Sequence, residues 1–474
     1  MGSHKKKKGL FLYLTESTSS YQVEISNTYG LHIRPKLGLL YLTATLQQRK
    51  NVDCDIWDQT ISFFAIDQLI KAIDSGEYLF VGFYSAISME SNVIECIKRI
   101  RQDTETKIPI LVGGPSFPNA EQFLRAGGNI VCNGEGEETI CEIYDYITGN
   151  RTLEDIKGIT YISDGNIILN NPRPLIPNID KIPFPDYSRL EFKHYCDYYI
   201  FTMKKPYMTM ITSRGCPYNC SFCDSHALWG SKSRVRSVDN VLAEIDELVG
   251  KYKVRYIAFQ DDVFGLSYDW TDEFCDKLIQ RNYPLSWMCI LHPFSFKKNP
   301  RKMLQKLRHA GCDLITTGLQ SAHPEILTRL NRNQSEPEYI RELVNISRSV
   351  DMLSLVSFIF GSPGETLETI QTSIRFAMET KPNYVKFYNM EILPGSHLAR
   401  QYKPGTQLCE FTKEELDKFC QVATRKFYLH PVILSRNVSF ILRHNPTWLL
   451  IALKFLPAIV RGIGLGKKNE SSHQ

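Results

Sequence analysis

The sequence predicts an α/β protein. A doubly wound, flavodoxin-like parallel sheet comes first, then six strand-then-helix units, then a helical C-terminal region. Three observations carry this. Short apolar runs alternate with helical patterns from about residue 9 to 145, as in a parallel sheet covered on both faces. The alternation returns from about 201 to 400, and beyond about 405 only helical patterning remains. The expected divisions are 9–147, a connector over 148–200, 201–400 and 401–474.

In the first series strands are expected at 10–14, 53–57, 78–84, 108–112 and 129–132, with helices at 36–49, 65–75, 90–102 and 120–126. Sheets wound this way bind ligands beyond the carboxyl ends of their strands. The loops at that edge are Arg34-Pro35-Lys36-Leu37-Gly38, Gly82-Phe83-Tyr84-Ser85, Gly113-Gly114-Pro115 and Asn133-Gly134-Glu135-Gly136-Glu137. Glycines let backbone approach a large ligand, and a helix starting after Gly136 offers amide donors. In the connector, 158–163 and 167–170 flank Asp164-Gly165, a hairpin signal. Pro172, Pro174, Pro177, Pro183 and Pro185 then mark an extended crossing.

The second series places strands at 208–212, 256–260, 285–291, 314–319, 353–360 and 384–390. Its clearest helix, 238–249, puts Val241, Leu242, Ile245, Leu248 and Val249 on one face. In the tail, the apolar run 448–457 is interrupted by Lys454 and Pro457 and followed by Arg461, so a membrane-spanning helix is not expected. Lys454 and Arg461 share a helical face, which fits docking on the protein body or on a membrane surface.

With 43% hydrophobic residues among 474, the chain can bury sizeable cores. The net charge of +5 owes much to Lys5–Lys8, which reads as a solvated run. No secretory signal is apparent, and the 13 cysteines form no small-domain framework. A reducing cytoplasmic setting without disulfides is the expectation.

The chemistry concentrates in Ser213-Arg214-Gly215-Cys216-Pro217-Tyr218-Asn219-Cys220-Ser221-Phe222-Cys223. Three thiolates this close can hold three irons of a cubane cluster and leave the fourth open. Electron-transfer clusters take four cysteines, and structural zinc takes four closed ligands. Pro217, Asn219 and Ser221 argue against a merely apolar core segment.

This loop resembles the cluster motif of the radical S-adenosylmethionine (SAM) superfamily, with Phe222 in the aromatic slot before the last cysteine. The resemblance implies a [4Fe-4S] cluster on Cys216, Cys220 and Cys223, with SAM chelating the open iron. One-electron cleavage of SAM would release a 5′-deoxyadenosyl radical inside a partial (β/α)6 TIM barrel. Phe222 would lie against adenine. Asp261-Asp262 would meet the SAM amino group, although a turn or helix cap would use the same pair. Gln320-Ser321 would touch ribose, with glutamine where the family more often has glutamate. Gly361-Ser362-Pro363-Gly364-Glu365-Thr366 would wrap methionine and adenine, with Glu365 orienting the loop. Glu391 and Pro394-Gly395 resemble the closing turn. His292, Tyr84, Trp229, Trp287 and Phe294 are candidates to line the substrate space.

The loops of the first series together resemble the cobalamin-binding domain that precedes many radical SAM domains. The match lies in P-x-L-G-L-x-Y-L, a glycine-to-serine turn, V-G-G-P and G-E-G-E. It implies cobalamin held by Pro35, Leu37, Gly38, Tyr84, Ser85, Gly113, Gly114, Pro115, Gly134, Glu135 and Gly136. The D-x-H-x-x-G motif of lower-ligand histidines is absent around His32, so cobalamin is expected without a protein imidazole below the metal.

The joint resemblance spans roughly 10–400. It implies a cobalamin-dependent radical SAM methyltransferase acting on an unactivated carbon or a phosphinate phosphorus. A small-molecule, peptide or lipid substrate and an electron donor such as flavodoxin or ferredoxin are expected. No nucleic acid is expected. The alternatives are a cobalamin-dependent cyclase or ring-rearranging enzyme without methyl transfer, and a zinc-stabilised nucleotide-binding module.

Overall fold

Alternating side chains of the strand Lys8–Tyr13 build two cores. Leu10 and Leu12 face one side and Phe11 the other, as the period of two requires. A computed structural model describes residues 7–15, 32–197, 204–444 and 446. The apolar tract 448–457 and the lysines before Lys7 lie outside the described residues.

Five parallel strands, Lys8–Tyr13, Cys54–Asp58, Tyr78–Tyr84, Ile110–Gly113 and Ile130–Cys132, pair in the order 2-1-3-4-5 counted along the chain, the flavodoxin-like order. Leu10 lies beside Asp55 on one side and Val81 on the other. Helices Leu37–Lys50 and Glu137–Ile147 cover one face; Ile66–Asp74, Glu90–Asp103 and Ala120–Arg125 cover the other.

The hairpin Ile159–Ser163/Asn166–Leu169 lies within the stretch read as connector, yet it continues this sheet. Tyr161 pairs antiparallel with Ile130, giving seven strands. Burial of Ile159 and Tyr161 in the first core and cover for an otherwise open edge explain why it docks there.

Six further strands, Tyr207–Met210, Tyr256–Phe259, Ser286–Leu291, Cys312–Gln320, Leu353–Phe360 and Tyr384–Asn389, are parallel and pair in chain order, each linked to the next through helix. This is an open segment of a TIM barrel. Tyr207, Tyr256, Leu353 and Tyr384, at the strands' amino ends, pack with Tyr195 and Phe440 into a plug. The carboxyl ends stay free for loops.

Trp287 does not line the barrel interior. It is fully buried against the outer helices and its Nε1 donates to Ala310 O at 2.8 Å. Met288 takes the inward direction instead. The strand is apolar on both faces, so parity could not be read from hydrophobicity.

Two C-terminal helices finish the chain. Lys413–Tyr428 packs along Tyr384–Asn389, its Tyr428 hydroxyl bonded to both backbone groups of Val385. Pro431–His444 supplies Phe440 to the plug. Among the described residues no helix is long and apolar enough to cross a membrane.

Candidate active site between two facing strand edges

The cluster loop leaves the first barrel strand through Ser213–Arg214, which pairs antiparallel with Arg234–Val235. Gly215 has φ +89°, and a Cβ there would lie 2.5 Å from Lys232 O, so only glycine makes this bend. Neighbouring segments fix the loop beyond it. Ser221 N donates to Leu330 O (3.0 Å), Asn331 Nδ2 to Asn219 O (2.5 Å) and Leu398 N to Ser221 O (2.9 Å). His226 Nε2 lies 2.7 Å from Cys216 O, and Tyr218 stacks on His292 with ring centroids 3.4 Å apart. His292 thus supports the loop from behind.

Cys216, Cys220 and Cys223 are free and partly exposed. Burial pushes the thiols of Cys216 and Cys223 up to about 11 and about 12, so positive metal must supply what makes them thiolates. Arg332 sends Nη1 to within 3.6 Å of Cys220 Sγ while bonding Gly318 O (2.6 Å) and Glu336 (2.5 Å). Among the described residues no three His, Cys, Asp or Glu side chains converge as a single metal ion requires. A cube, taking one thiolate per corner iron, needs them farther apart. Three thiolates in one loop match three corner irons of a cube, whereas structural zinc takes four closed ligands.

Asp261 is buried and directed at the loop's base. Its Oδ1 accepts from Thr212 N (2.9 Å), Thr212 Oγ1 (2.8 Å) and Ser213 Oγ (2.5 Å). Its Oδ2 has no partner, and burial raises the carboxyl to about 6. Asp262 accepts from Ser225 Oγ at 2.7 Å. Gln320 ends the fourth barrel strand at φ +69° beside a bulge. Ser321 is fully buried, its hydroxyl 3.3 Å from Ser373 Oγ and accepting from His323 N.

Glu365 Oε2 accepts from Gly361 N (2.6 Å) and Ser362 N (2.9 Å), tying the G-S-P-G-E loop into a ring. Its other oxygen and Ser362 Oγ are buried without partners, and burial raises Glu365 to about 7. Pro363 O accepts from Arg329 Nη1 at 3.2 Å, and Gly364 N donates to Leu408 O at 3.1 Å. Phe222 stands half-buried at the loop end. These orphaned polar atoms on one rim suit a polar ligand such as SAM.

The edge of the first sheet is joined to this rim by charge. Glu135 Oε1 accepts from Arg214 Nη1 (2.8 Å), its Oε2 from Arg234 Nη1 (2.8 Å) and Ile176 N (2.7 Å). Glu137 accepts from Arg214 Nη2 at 2.5 Å. Arg214, one residue before the bend of the cluster loop, lies over the Trp229 and Tyr41 rings. Arg34 Nη1 reaches Gln260 Oε1 at 3.0 Å. Glu135 therefore serves as a clamp between the domains and has little left for a ligand.

Two glycines of that edge face open space. A Cβ on Gly38 would meet nothing within 4 Å, and one on Gly134 only Leu228 O, at 4.0 Å. Gly114, at φ +107°, packs so that a Cβ would sit 2.6 Å from Ser85 O. Ser85 Oγ and Ser116 Oγ are buried without partners, which fits a large polar cofactor over Gly113–Pro115. Tyr84 stacks on Tyr13, under Lys36, and Pro35 is buried with Leu37 beside it. The backbone at His32 pairs with Asp197; its ring lies outside the described part.

Sequence reading missed Arg34, Arg214, Arg234 and Arg332. Only Ser362 had a signal, its place inside the glycine–proline motif.

Comparison with known proteins agrees with this geometry. Residues 31–144 match the B12 binding domain model and 210–377 the radical SAM superfamily model. The uncharacterized methyltransferase PH0819 of Pyrococcus horikoshii is 29% identical over 85% of this chain and 90% of its own length. The anaerobic magnesium-protoporphyrin IX monomethyl ester cyclase of Cereibacter sphaeroides is 25% identical over 60% of this chain and 46% of its own. Among solved structures, the radical SAM methyltransferase TsrM of Kitasatospora setae, with cobalamin and a [4Fe-4S] cluster bound, superposes with a TM-score of 0.66 at 18% identity. The overlap covers 84% of this chain and 74% of that one. The cofactors are accordingly a [4Fe-4S] cluster, SAM and cobalamin. The chain belongs to the cobalamin-binding radical SAM enzymes.

Proposed function

We propose that this enzyme methylates an unactivated carbon, or a phosphinate phosphorus, of a small molecule. The observation that carries the reading is the clamp. Arg214 stands beside the cysteine loop and is bonded to Glu135 and Glu137 of the first sheet's ligand edge. Two cofactor edges are thereby held face to face, as transfer between them demands. Small-molecule chemistry is supported by TsrM, one structure of which holds tryptophan as substrate.

When bound, the cluster and SAM supply the hydrogen-abstracting radical, and cobalamin supplies the methyl group. The chain's own residues bind, orient and exclude water. Cys216, Cys220 and Cys223 hold the cluster. Phe222, Gln320, Ser362, Gly361, Pro363 and Gly364 form the SAM rim. Asp261 and Glu365 fix the loops around it, Asp262 stands beside the loop through Ser225, and Ser321 braces the wall. Pro35, Leu37, Gly38, Tyr84, Ser85, Gly113, Gly114, Pro115, Gly134 and Gly136 line the cobalamin edge, with Glu135 holding that edge to the barrel. A flavodoxin or ferredoxin supplies the electrons.

The cyclase among the relatives keeps a second reading in view, ring formation without methyl transfer. The test is anaerobic turnover with methyl-deuterated SAM and candidate substrates, followed by product mass. Methyl label in the product supports the proposal. An altered product without label supports cyclisation. Absence of 5′-deoxyadenosine from protein carrying a full cluster overturns both.

A further inference from the structure

The helix Pro431–His444 buries Ile433, Phe440 and Ile441 toward the barrel but leaves Leu434, Val438 and Leu442 at 52%, 36% and 53% exposure. These three recur every four residues and form one stripe. Leu429, before the helix, and Val432, at its start, are also exposed but off the stripe. Soluble surfaces scatter such residues singly, and a contiguous row marks a docking face.

Charge identifies what it docks on. From residue 418 to the end the sequence holds nine lysines and arginines against a single acid, Glu470. That stretch carries +8 while the preceding 417 residues carry −3. Lys418, Arg425 and Lys426 are exposed on the helix before the stripe, and Arg443 on the stripe's own helix. Beyond the described residues the sequence continues Trp448-Leu449-Leu450-Ile451-Ala452-Leu453-Lys454-Phe455-Leu456, then Arg461, Lys467 and Lys468. A protein partner meeting leucines alone would not call for this one-sided charge, and a nucleic acid would not call for the leucines. Leucine, tryptophan and lysine together are the composition that enters the headgroup layer of anionic lipid.

We propose that the C-terminal stripe docks this protein on an anionic phospholipid bilayer. The inference is independent of the methyl-transfer reading. The helix caps the amino ends of the barrel strands, beside Tyr207, Tyr256 and Tyr384, whereas the cysteine loop leaves at their carboxyl ends. The docked enzyme therefore turns its cofactors away from the lipid. The bilayer tethers it and does not deliver its substrate.

The experiment is co-sedimentation of full-length, cluster-loaded protein with vesicles of phosphatidylcholine, alone or mixed with phosphatidylglycerol. Pelleting with the mixed vesicles only is expected. Combining L434E, V438E and L442E should cut the partition coefficient at least about tenfold, and K467E with K468E several-fold. About 1 M salt, which shortens screening to roughly 3 Å, should release most of the protein. The variants should keep their iron content and SAM cleavage, showing that they fold. Pelleting with neither vesicle, equal pelleting with both, or undiminished partition of the triple variant overturns the proposal. Absent pelleting with a triple variant that merely melts earlier would identify residues 447–474 as the stripe's cover, and also overturns it.

Discussion

Buried carboxylates at the two facing edges behave in opposite ways. At the first sheet, Glu135 and Glu137 meet Arg214 and Arg234. Burial would push Glu137 up, but the charge and hydrogen bond of Arg214 outweigh it and hold the carboxyl below its usual range. At the barrel, Asp261 and Glu365 are as deeply buried, yet their bonds come from hydroxyls and amides, and burial lifts them to about 6 and about 7. Glu137 is held charged, and with Glu135 it joins the domains. The other pair is poised, with unused oxygens, and shapes the loops on which SAM is proposed to sit.

Removing a cation from the first pair should have the largest effect. Arg214→Ala strands Glu137, which is 5% exposed, and leaves Glu135, 2% exposed, to Arg234 alone, a loss of about 3–5 kcal/mol by the usual cost of breaking a buried pair. Urea unfolding would measure it. Replacing Glu135 and Glu137 by glutamine in the same protein should return much of the loss. If the triple variant is no more stable than the single one, the clamp is not electrostatic.

The second pair is probed by pH. Glu365 titrates near 4.5 unfolded and about 7 folded, so between those values the native state holds a proton that the unfolded chain has lost. Its contribution is unfavourable once ionised. Stability from this site falls as pH rises from about 4.5 to 7, by at most about 3 kcal/mol. Glu365→Gln removes the slope, so wild-type and variant stabilities should converge toward acid and separate toward neutral pH in cofactor-free protein. Parallel curves would show that Glu365 keeps an ordinary pKa.

The elements were legible because their signals are local. Strand and helix positions fell within two residues or so wherever apolar periodicity was clean, and the cysteines declared themselves by spacing alone. Three things were not local. Trp287 sits in a strand apolar on both faces, so inward and outward were indistinguishable. The hairpin at Asp164-Gly165 could be seen, but not the sheet edge it would cover. Arg34, Arg214 and Arg234 bond side chains 77 to 226 residues away in other elements, and no spacing rule reaches that far; Arg332 pairs locally with Glu336, but its reach to Cys220 is equally distant in sequence. Glu135 belongs with them: its motif marks the ligand edge, but its bonds to Arg214 and Arg234 could not be read from spacing.

The smallest expected effect sharpens the contrast by asking whether a paired acid can act through its cation. Arg332 is buried, bonded to Glu336, and still offers Nη1 to Cys220 Sγ. Hydrogen bonds to cluster sulfurs raise reduction potentials because they stabilise the added electron. Arg332→Gln alone would leave Glu336 unpaired, mixing two causes. Arg332→Gln with Glu336→Gln removes one charge of each sign, so any remaining shift belongs to the altered donor at sulfur. We expect the midpoint potential to fall by about 30–60 mV, about one factor of ten in the one-electron equilibrium at the upper end. Electron paramagnetic resonance during a redox titration would read it without turnover. An unmoved potential would mean that Arg332 does no more than close the turn after the fourth barrel strand, through Gly318 O.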